Sequence, residues 1–204
     1  MGSSRNLLQT LTLTAFLCAA AAFSDSAKAQ QRSAAALKKS ETHVYLMRGL
    51  FGVFSLGMDD LAGKLEADGY RANVYGWDSW QQVADTIAGN YQRGQVQIAV
   101  IGHSLGANAV FLVSDNLQRR NIRVILGVTF DATEPGKVPG NVGTFINFWA
   151  RDGFGQPVDA PPGYTGELEN FDLSGQPNID HTSIDALDRF HQLVIQKLEK
   201  LTSR

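Results

Sequence analysis

Two apolar runs constrain this chain more than any other feature. "VQIAVIG" (96–102) and "IRVILGVTFD" (122–131) are apolar at nearly every position, odd and even alike. A strand with one face in water would alternate, so these strands are read as covered on both faces. That is the pattern of a parallel sheet between layers of helices. "THVYLM" (42–47), "RANVYG" (71–76) and "VGTFINFWA" (142–150) read as further strands, rich in β-branched and aromatic residues. Helical periods separate them. Ser55 stands as an N-cap before Met58, Leu61, Ala62 and Leu65, which share one face, and Gly69 stops that helix. Ser79 precedes a stripe of Trp80, Val83, Ile87 and Tyr91, and a third helix is read over His103 to Arg120. Ser183 to Leu201 closes the chain as a helix facing inward with Ile184, Leu187, Val194, Leu198 and Leu201. The alternation predicts an α/β three-layer sandwich, a mostly parallel sheet with helices on both faces, in one domain over 43–204. Arg151 to Asp180 departs from it: thirty residues dense in Gly and Pro, read as a long loop that is either functional or poorly ordered.

The first 29 residues are read apart from this fold. Arg5 supplies a positive start, Leu7 to Phe23 an apolar run, and Ala27-Lys28-Ala29 a small-residue cleavage site. The expectation is a signal peptide over 1–29, a flexible segment over 30–42, and a periplasmic or secreted protein with no membrane span after cleavage; the alternative is an uncleaved membrane anchor, for which the apolar run is a little short. Cys18, the sole cysteine, falls in the leader, which excludes a disulfide scaffold or thiol chemistry in the mature chain. With 44% hydrophobic and 19% charged residues the chain suits a globular domain, not a disordered one. A formal net charge of −2 offers no basic face, so no nucleic-acid partner is expected.

The chemistry centres on "VIGHSLGA" (100–107), where Ser104 lies between Gly102 and Gly106, after a strand and before a helix. A G-x-S-x-G match carries weight only in that context. The turn forces the serine into unfavourable dihedrals, and its neighbours two residues away must lack side chains. It leaves the hydroxyl exposed above the sheet at the positive end of a helix, with the Leu105 amide aimed where an oxyanion would form. Ser104 is therefore the candidate nucleophile rather than a simple helix cap. A serine needs a base. His43 precedes the first strand, His103 should point into the turn's packing, and His191 sits mid-helix. His181, in the loop "NIDHTSID", follows the serine at the sheet's carboxyl edge and is the candidate base. For the orienting acid two residues remain: Asp131, which ends an uninterrupted apolar strand, and Asp152, after the next strand in a Gly-rich loop. Asp131 is preferred. The loop "MRGLFG" is the source of a second oxyanion donor, with the amide of Leu50 placed first and Phe51 second. Phe154, Tyr164 and Phe171 either face a substrate or form a small satellite core.

The stretches "VYLMRGLFG", "VIGHSLGA", "VTFDAT" and "NIDHTSID" together resemble the α/β-hydrolase superfamily, in its small lidless esterase, lipase and thioesterase-like branch. Arg48-Gly49 stands where many relatives carry His-Gly, a departure in the oxyanion loop. "VTFDATEPGKVPGNV" followed by an Asn-aromatic strand is also similar to compact relatives, which adds to the preference for Asp131. The resemblance implies a serine hydrolase acting on small-molecule acyl esters or thioesters through an acyl-enzyme, with no metal and no cofactor. An amidase or peptidase using the same triad, or an inactive exported binding protein on the same fold, are the alternatives.

Overall fold

A computed structural model describes residues 28, 30–50, 55–93 and 96–203. The expected leader, apart from Lys28, and the alternative donor Phe51 lie outside the described residues. The chain divides into two units, Met1–Lys38 and Lys39–Arg204. In the first, residues 30–38, where the sequence suggests a flexible segment, are helical, and 30–37 are exposed. The alanines at 34–36 favour that state.

The second unit carries the sheet. Its elements are β1 (Thr42–Arg48), α1 (Gly57–Ala67), β2 (Arg71–Gly76), α2 (Trp80–Arg93), β3 (Gln97–His103), α3 (Leu105–Arg119), β4 (Val124–Phe130), β5 (Val142–Trp149), β6 (Glu167–Asp172) and α4 (Asp188–Thr202). The strands lie in the order β2-β1-β3-β4-β5-β6, and every neighbouring pair is parallel. Residues alternate between two cores, as a sheet covered on both faces requires. Val44, Leu46, Ala99, Ile101, Val128 and Phe148 meet α1 and α4 through Met58, Leu61, Leu65, Phe190 and Val194. Tyr45, Met47, Ile98, Val100 and Phe145 meet α2 and α3 through Val83, Ile87, Val110 and Val113. The α1/α4 side is keyed by Phe148, whose ring lies 4.8–5.0 Å from those of Phe130, Phe171 and Phe190. Offset aromatic contacts of this kind add about 0.5–1.5 kcal/mol each to the area they bury.

Three elements differ from the sequence reading. The segment 151–180 is not structureless throughout: Glu167–Asp172 joins the sheet as an edge strand beside β5. Its half-solvated position explains why "ELENFD" looks like a loop. Glu167, Glu169 and Phe171 share the face toward α4, where the two carboxylates pair with Lys197 and Phe171 packs on Phe148. The last helix starts at Asp188, not Ser183. Ile184–Ala186 forms a 3₁₀ turn, and Leu187 is extended at φ −77° and ψ 116°, which breaks the period. Ser55 does not cap α1, whose capping position is Leu56 with no side-chain cap; its hydroxyl is engaged elsewhere.

Chain order reverses between β1 and β3: β2 lies to one side of β1, and β3 to β6 run away on the other. In an open parallel sheet, the carboxyl ends of strands at such a switch point frame a crevice. Residues 49 and 104, the first positions after β1 and β3, stand at its rim.

Candidate active site

The turn at the end of β3 places Ser104 at φ 59° and ψ −125°, left-handed backbone that costs about 1–3 kcal/mol in a residue with a side chain. Three features hold it there. The Ser104 amide donates to the Phe130 carbonyl at the end of β4 (3.0 Å), and the Ser104 carbonyl accepts from Ala107 and Asn108 at the start of α3. Gly106 lies against the end of β1 so closely that a Cβ there would overlap the Met47 carbonyl. Gly102 faces Gly106 across the turn with equally little room. The Ser104 hydroxyl makes no capping bond to α3.

It meets His181 instead. Ser104 Oγ lies 2.9 Å from His181 Nε2, and His181 Nδ1 lies 2.6 Å from Asp131 Oδ2. The ionised acid can only accept, so Nδ1 carries the imidazole proton and Nε2 is left to accept from the serine. Asp131 directly follows β4 at φ 49° and is fully buried. The Ala150 and Gly155 amides donate to its Oδ1, both at 3.0 Å, and the Phe154 amide to Oδ2 at 3.1 Å. Burial alone would push this carboxyl up, but the bond from His181 and those from the amides outweigh it and hold it below the usual range. The Gly153–Gly155 turn closes on the carboxylate with no room to spare: a Cβ at Gly155 would overlap Asp131 Oδ1. Asp152, the alternative acid, is not brought to His181. It is exposed, and its carboxylate accepts from the Gly175 amide at 3.0 Å.

A polar row, buried at Thr129 and Asn147 and reaching the surface at Asn170, steadies the acid's loop. Thr129, Asn147 and Asn170 are in register on β4, β5 and β6. Thr129 Oγ1 donates to Asn147 Oδ1 (2.8 Å), and Asn147 Nδ2 donates to Asn170 Oδ1 (2.9 Å) and to the Gln156 carbonyl (3.0 Å). Asn170 exchanges two bonds with the Val158 backbone, both at 2.9 Å. Sequence reasoning missed this row, although an asparagine in the apolar run "FINFW" was a signal, since a buried amide must find partners.

Ser104 and His181 open into a cleft of about 420 Å³, lined also by Leu50, Ser55, His103, Leu105, Thr133, Phe154 and Thr182. Leu105 is the first residue of α3, where an amide has no helical partner. Leu50 is 46% exposed at the mouth. The three loop aromatics divide. Phe154 stands over the cleft, its ring edge-on to His181 at 4.7 Å and itself 63% exposed. Phe171 belongs to the core, and the Tyr164 hydroxyl donates to the Val142 carbonyl at 3.0 Å. A larger groove of about 1060 Å³ lies at the opposite end of the sheet, among Arg123, Asn141, Gly143 and Glu167. It is polar and open and holds no nucleophile–base pair, whereas the smaller cleft combines apolar walls with convergent polar groups.

Of the other histidines, His103 and His191 are buried and His43 is half-buried on β1. His191 Nε2 donates to the Asp185 carbonyl at 2.6 Å. His103 faces away from the Ser104 hydroxyl, toward Ser55 Oγ (2.8 Å) and the His181 carbonyl (2.7 Å). Burial pushes its imidazole down to about 4. Among the described residues no cluster of three or more His, Cys, Asp or Glu side chains could hold a metal ion, and no helix is long and apolar enough to cross a membrane.

No protein-family model matches the chain, and no curated protein sequence matches it. Solved structures do. Human thioesterase 2 superposes with a TM-score of 0.53 at 14% identity, over 78% of this chain and 97% of that one. The type II thioesterase BorB from the borrelidin biosynthetic cluster gives 0.51 at 10% identity, over 77% and 91%. The pyrethroid hydrolase PytH gives 0.50 at 12%, over 80% and 99%. At such identities the likeness is one of fold: the chain has the α/β-hydrolase fold, and no cap domain is present among the described residues.

Proposed function

We propose that this protein is a serine hydrolase that cleaves carboxylic esters or thioesters through an acyl-enzyme. The observation that carries the reading is the line Ser104 Oγ–His181 Nε2–His181 Nδ1–Asp131 Oδ2, with steps of 2.9 and 2.6 Å, at the floor of an apolar cleft. His181 takes the Ser104 proton on Nε2 as Oγ attacks the acyl carbonyl. Asp131, held ionised by its amide donors, stabilises the imidazolium and fixes the tautomer. The amide of Leu105, and that of Leu50 across the cleft, stabilise the oxyanion. The imidazolium then protonates the departing alkoxide or thiolate as the tetrahedral intermediate collapses. Water, deprotonated by the same nitrogen, attacks the acyl-enzyme, releases the acid and returns the proton to Ser104. The apolar walls favour an uncharged acyl group. Export fits the leader-like residues 1–29, and N-terminal sequencing of the protein from culture medium or periplasm should then begin at Gln30.

The test is covalent. A fluorophosphonate should label the wild type and leave Ser104→Ala unlabelled; labelling that persists in Ser104→Ala would refute the nucleophile. His181→Ala and Asp131→Asn should lose p-nitrophenyl ester turnover by about three orders of magnitude or more, as for other triads, and Asp152→Asn should keep it. A set of acyl chains offered as oxygen esters and as acyl-CoA thioesters separates the two substrate classes.

A further inference from the structure

Behind Ser104 runs a buried hydrogen-bond chain that the steps above do not use. The Gly49 amide lies 2.9 Å from Ser55 Oγ, and Ser55 Oγ lies 2.8 Å from His103 Nδ1. His103 Nε2 lies 2.7 Å from the carbonyl oxygen of His181. Chemistry sets the direction of every bond. The His181 carbonyl can only accept, so the proton of His103 is on Nε2. The Gly49 amide can only donate, so Ser55 Oγ accepts from it and gives its own proton to the bare Nδ1. Each donor has an acceptor in a single neutral tautomer, and Ser55 and His103 are each 1% exposed. The depressed basicity of His103 keeps that tautomer at neutral pH.

The chain ties together three segments that acyl transfer must keep in register. One is the turn after β1, which carries Leu50. The second is the turn that carries Ser104, and the third is the loop that carries His181. The first two are in direct contact as well, since a Cβ on Gly49 would lie 2.8 Å from Ser104 Cβ and 3.1 Å from the His103 carbonyl.

We propose that Ser55 and His103 are positioning residues for acyl transfer: through Gly49 they hold the oxyanion loop, and through the His181 carbonyl they hold the base loop, both against the nucleophile's turn. The proposal rests on the hydrolase reading above. Neither residue touches the substrate's reacting atoms. The two ends of the chain are separable by substitution. His103→Gln can still donate near the Nε2 position to the His181 carbonyl but offers nothing to Ser55. His103→Asn can still accept from Ser55 near the Nδ1 position but does not reach His181.

The experiment compares wild type, Ser55→Ala, His103→Gln and His103→Asn with a p-nitrophenyl ester. Rates are divided by the concentration of sites titrated with a fluorophosphonate, so unfolded protein does not count. An alkyl boronic acid serves as the analogue of the tetrahedral intermediate. Ser55→Ala and His103→Gln should lose about 10- to 100-fold in kcat per site, the scale expected when a reacting group is misplaced by up to an ångström. Their KM should stay near that of wild type, and the boronic acid should bind them more weakly by a similar factor. His103→Asn should lose kcat per site but keep its boronic acid affinity, because only the base loop is released. Wild-type kcat per site in Ser55→Ala and His103→Gln would overturn the proposal, as would equal boronic acid affinity in all four proteins. A wild type that no fluorophosphonate labels is a separate result, and it overturns the hydrolase reading itself.

Discussion

Asp185 and His103 form a buried pair whose protons sit opposite to where they would in water, and this makes a prediction about stability against pH. Asp185 is 1% exposed in the 3₁₀ turn before α4, neither carboxylate oxygen has a hydrogen-bond partner, and Oδ2 lies 3.8 Å from His103 Nδ1. Burial pushes the Asp185 carboxyl from 3.8 up to about 7, opposed in part by its own amide and that of Gly57. Burial likewise pushes the His103 imidazole from 6.5 down to about 4. Between these values the folded protein holds both groups neutral, whereas the unfolded chain holds a carboxylate and an imidazolium. For Asp185 the folded state binds the extra proton, so its contribution to stability falls as pH rises from 3.8 to about 7. At 1.36 kcal/mol per unit the fall is about 4 kcal/mol. For His103 the unfolded state binds the extra proton, so its contribution rises between pH 4 and 6.5, by about 3 kcal/mol. In the wild type the two slopes cancel over most of this range. Asp185→Asn removes the first slope, so its stability relative to wild type should climb by about 4 kcal/mol from pH 4 to pH 7.5. The lone buried amide adds an offset that does not vary with pH. His103→Gln removes the second slope, so its relative stability should fall by about 3 kcal/mol from pH 4 to pH 6.5. Urea unfolding followed by tryptophan fluorescence at half-unit pH steps measures both. Curves for the variants that run parallel to wild type would show that burial does not hold these groups neutral, and the reasoning would fail.

Other consequences follow from the packing. Gly106→Ala drives a methyl into the Met47 carbonyl and should cost several kcal/mol in urea unfolding, about the upper end for single substitutions. Gly155→Ala intrudes on Asp131 Oδ1, so kcat on a p-nitrophenyl ester should fall at least about tenfold as the imidazole loses its orientation. Phe154→Ala removes a ring that is 63% exposed and should change stability by no more than about 0.5 kcal/mol. It should nonetheless raise KM for apolar acyl chains, because the ring walls the cleft beside His181. Phe148→Ala deletes the ring on which three others rest and should lower unfolding free energy by about 3–5 kcal/mol, read as a shift in the urea midpoint.

Much of this molecule is legible in local sequence, and the reason is periodicity. Continuous apolar runs at 96–102 and 122–131 mark strands buried on both faces, and they stand at the centre of the parallel sheet. The strand–turn–helix around Ser104 is equally local, because Gly102 and Gly106 leave no other route for the chain. Burial and repeat are properties of a few adjacent residues, so a sequence displays them directly. The edge strand Glu167–Asp172 was hidden because an edge position buries only one apolar residue on each face, Phe171 and Leu168, and so lacks the apolar signature. Ser55 looked like a cap because capping is the local use of a serine before a helix. Its partners, Gly49 and His103, are 6 and 48 positions away. The choice between Asp131 and Asp152 was of the same kind. Both follow a strand, and what separates them is which carboxylate meets an imidazole 50 positions from Asp131, inside a cage of amides from the next loop. The sequence by itself determined strands β1 to β5, the two covered faces of their sheet and the strained turn that presents Ser104, because each is written in residues that are neighbours along the chain. Only the tertiary structure decided which acid faces His181, and that Ser55 and His103 join the loops behind it. A hydrogen bond between distant segments depends on ångström-scale placement, which no local pattern carries.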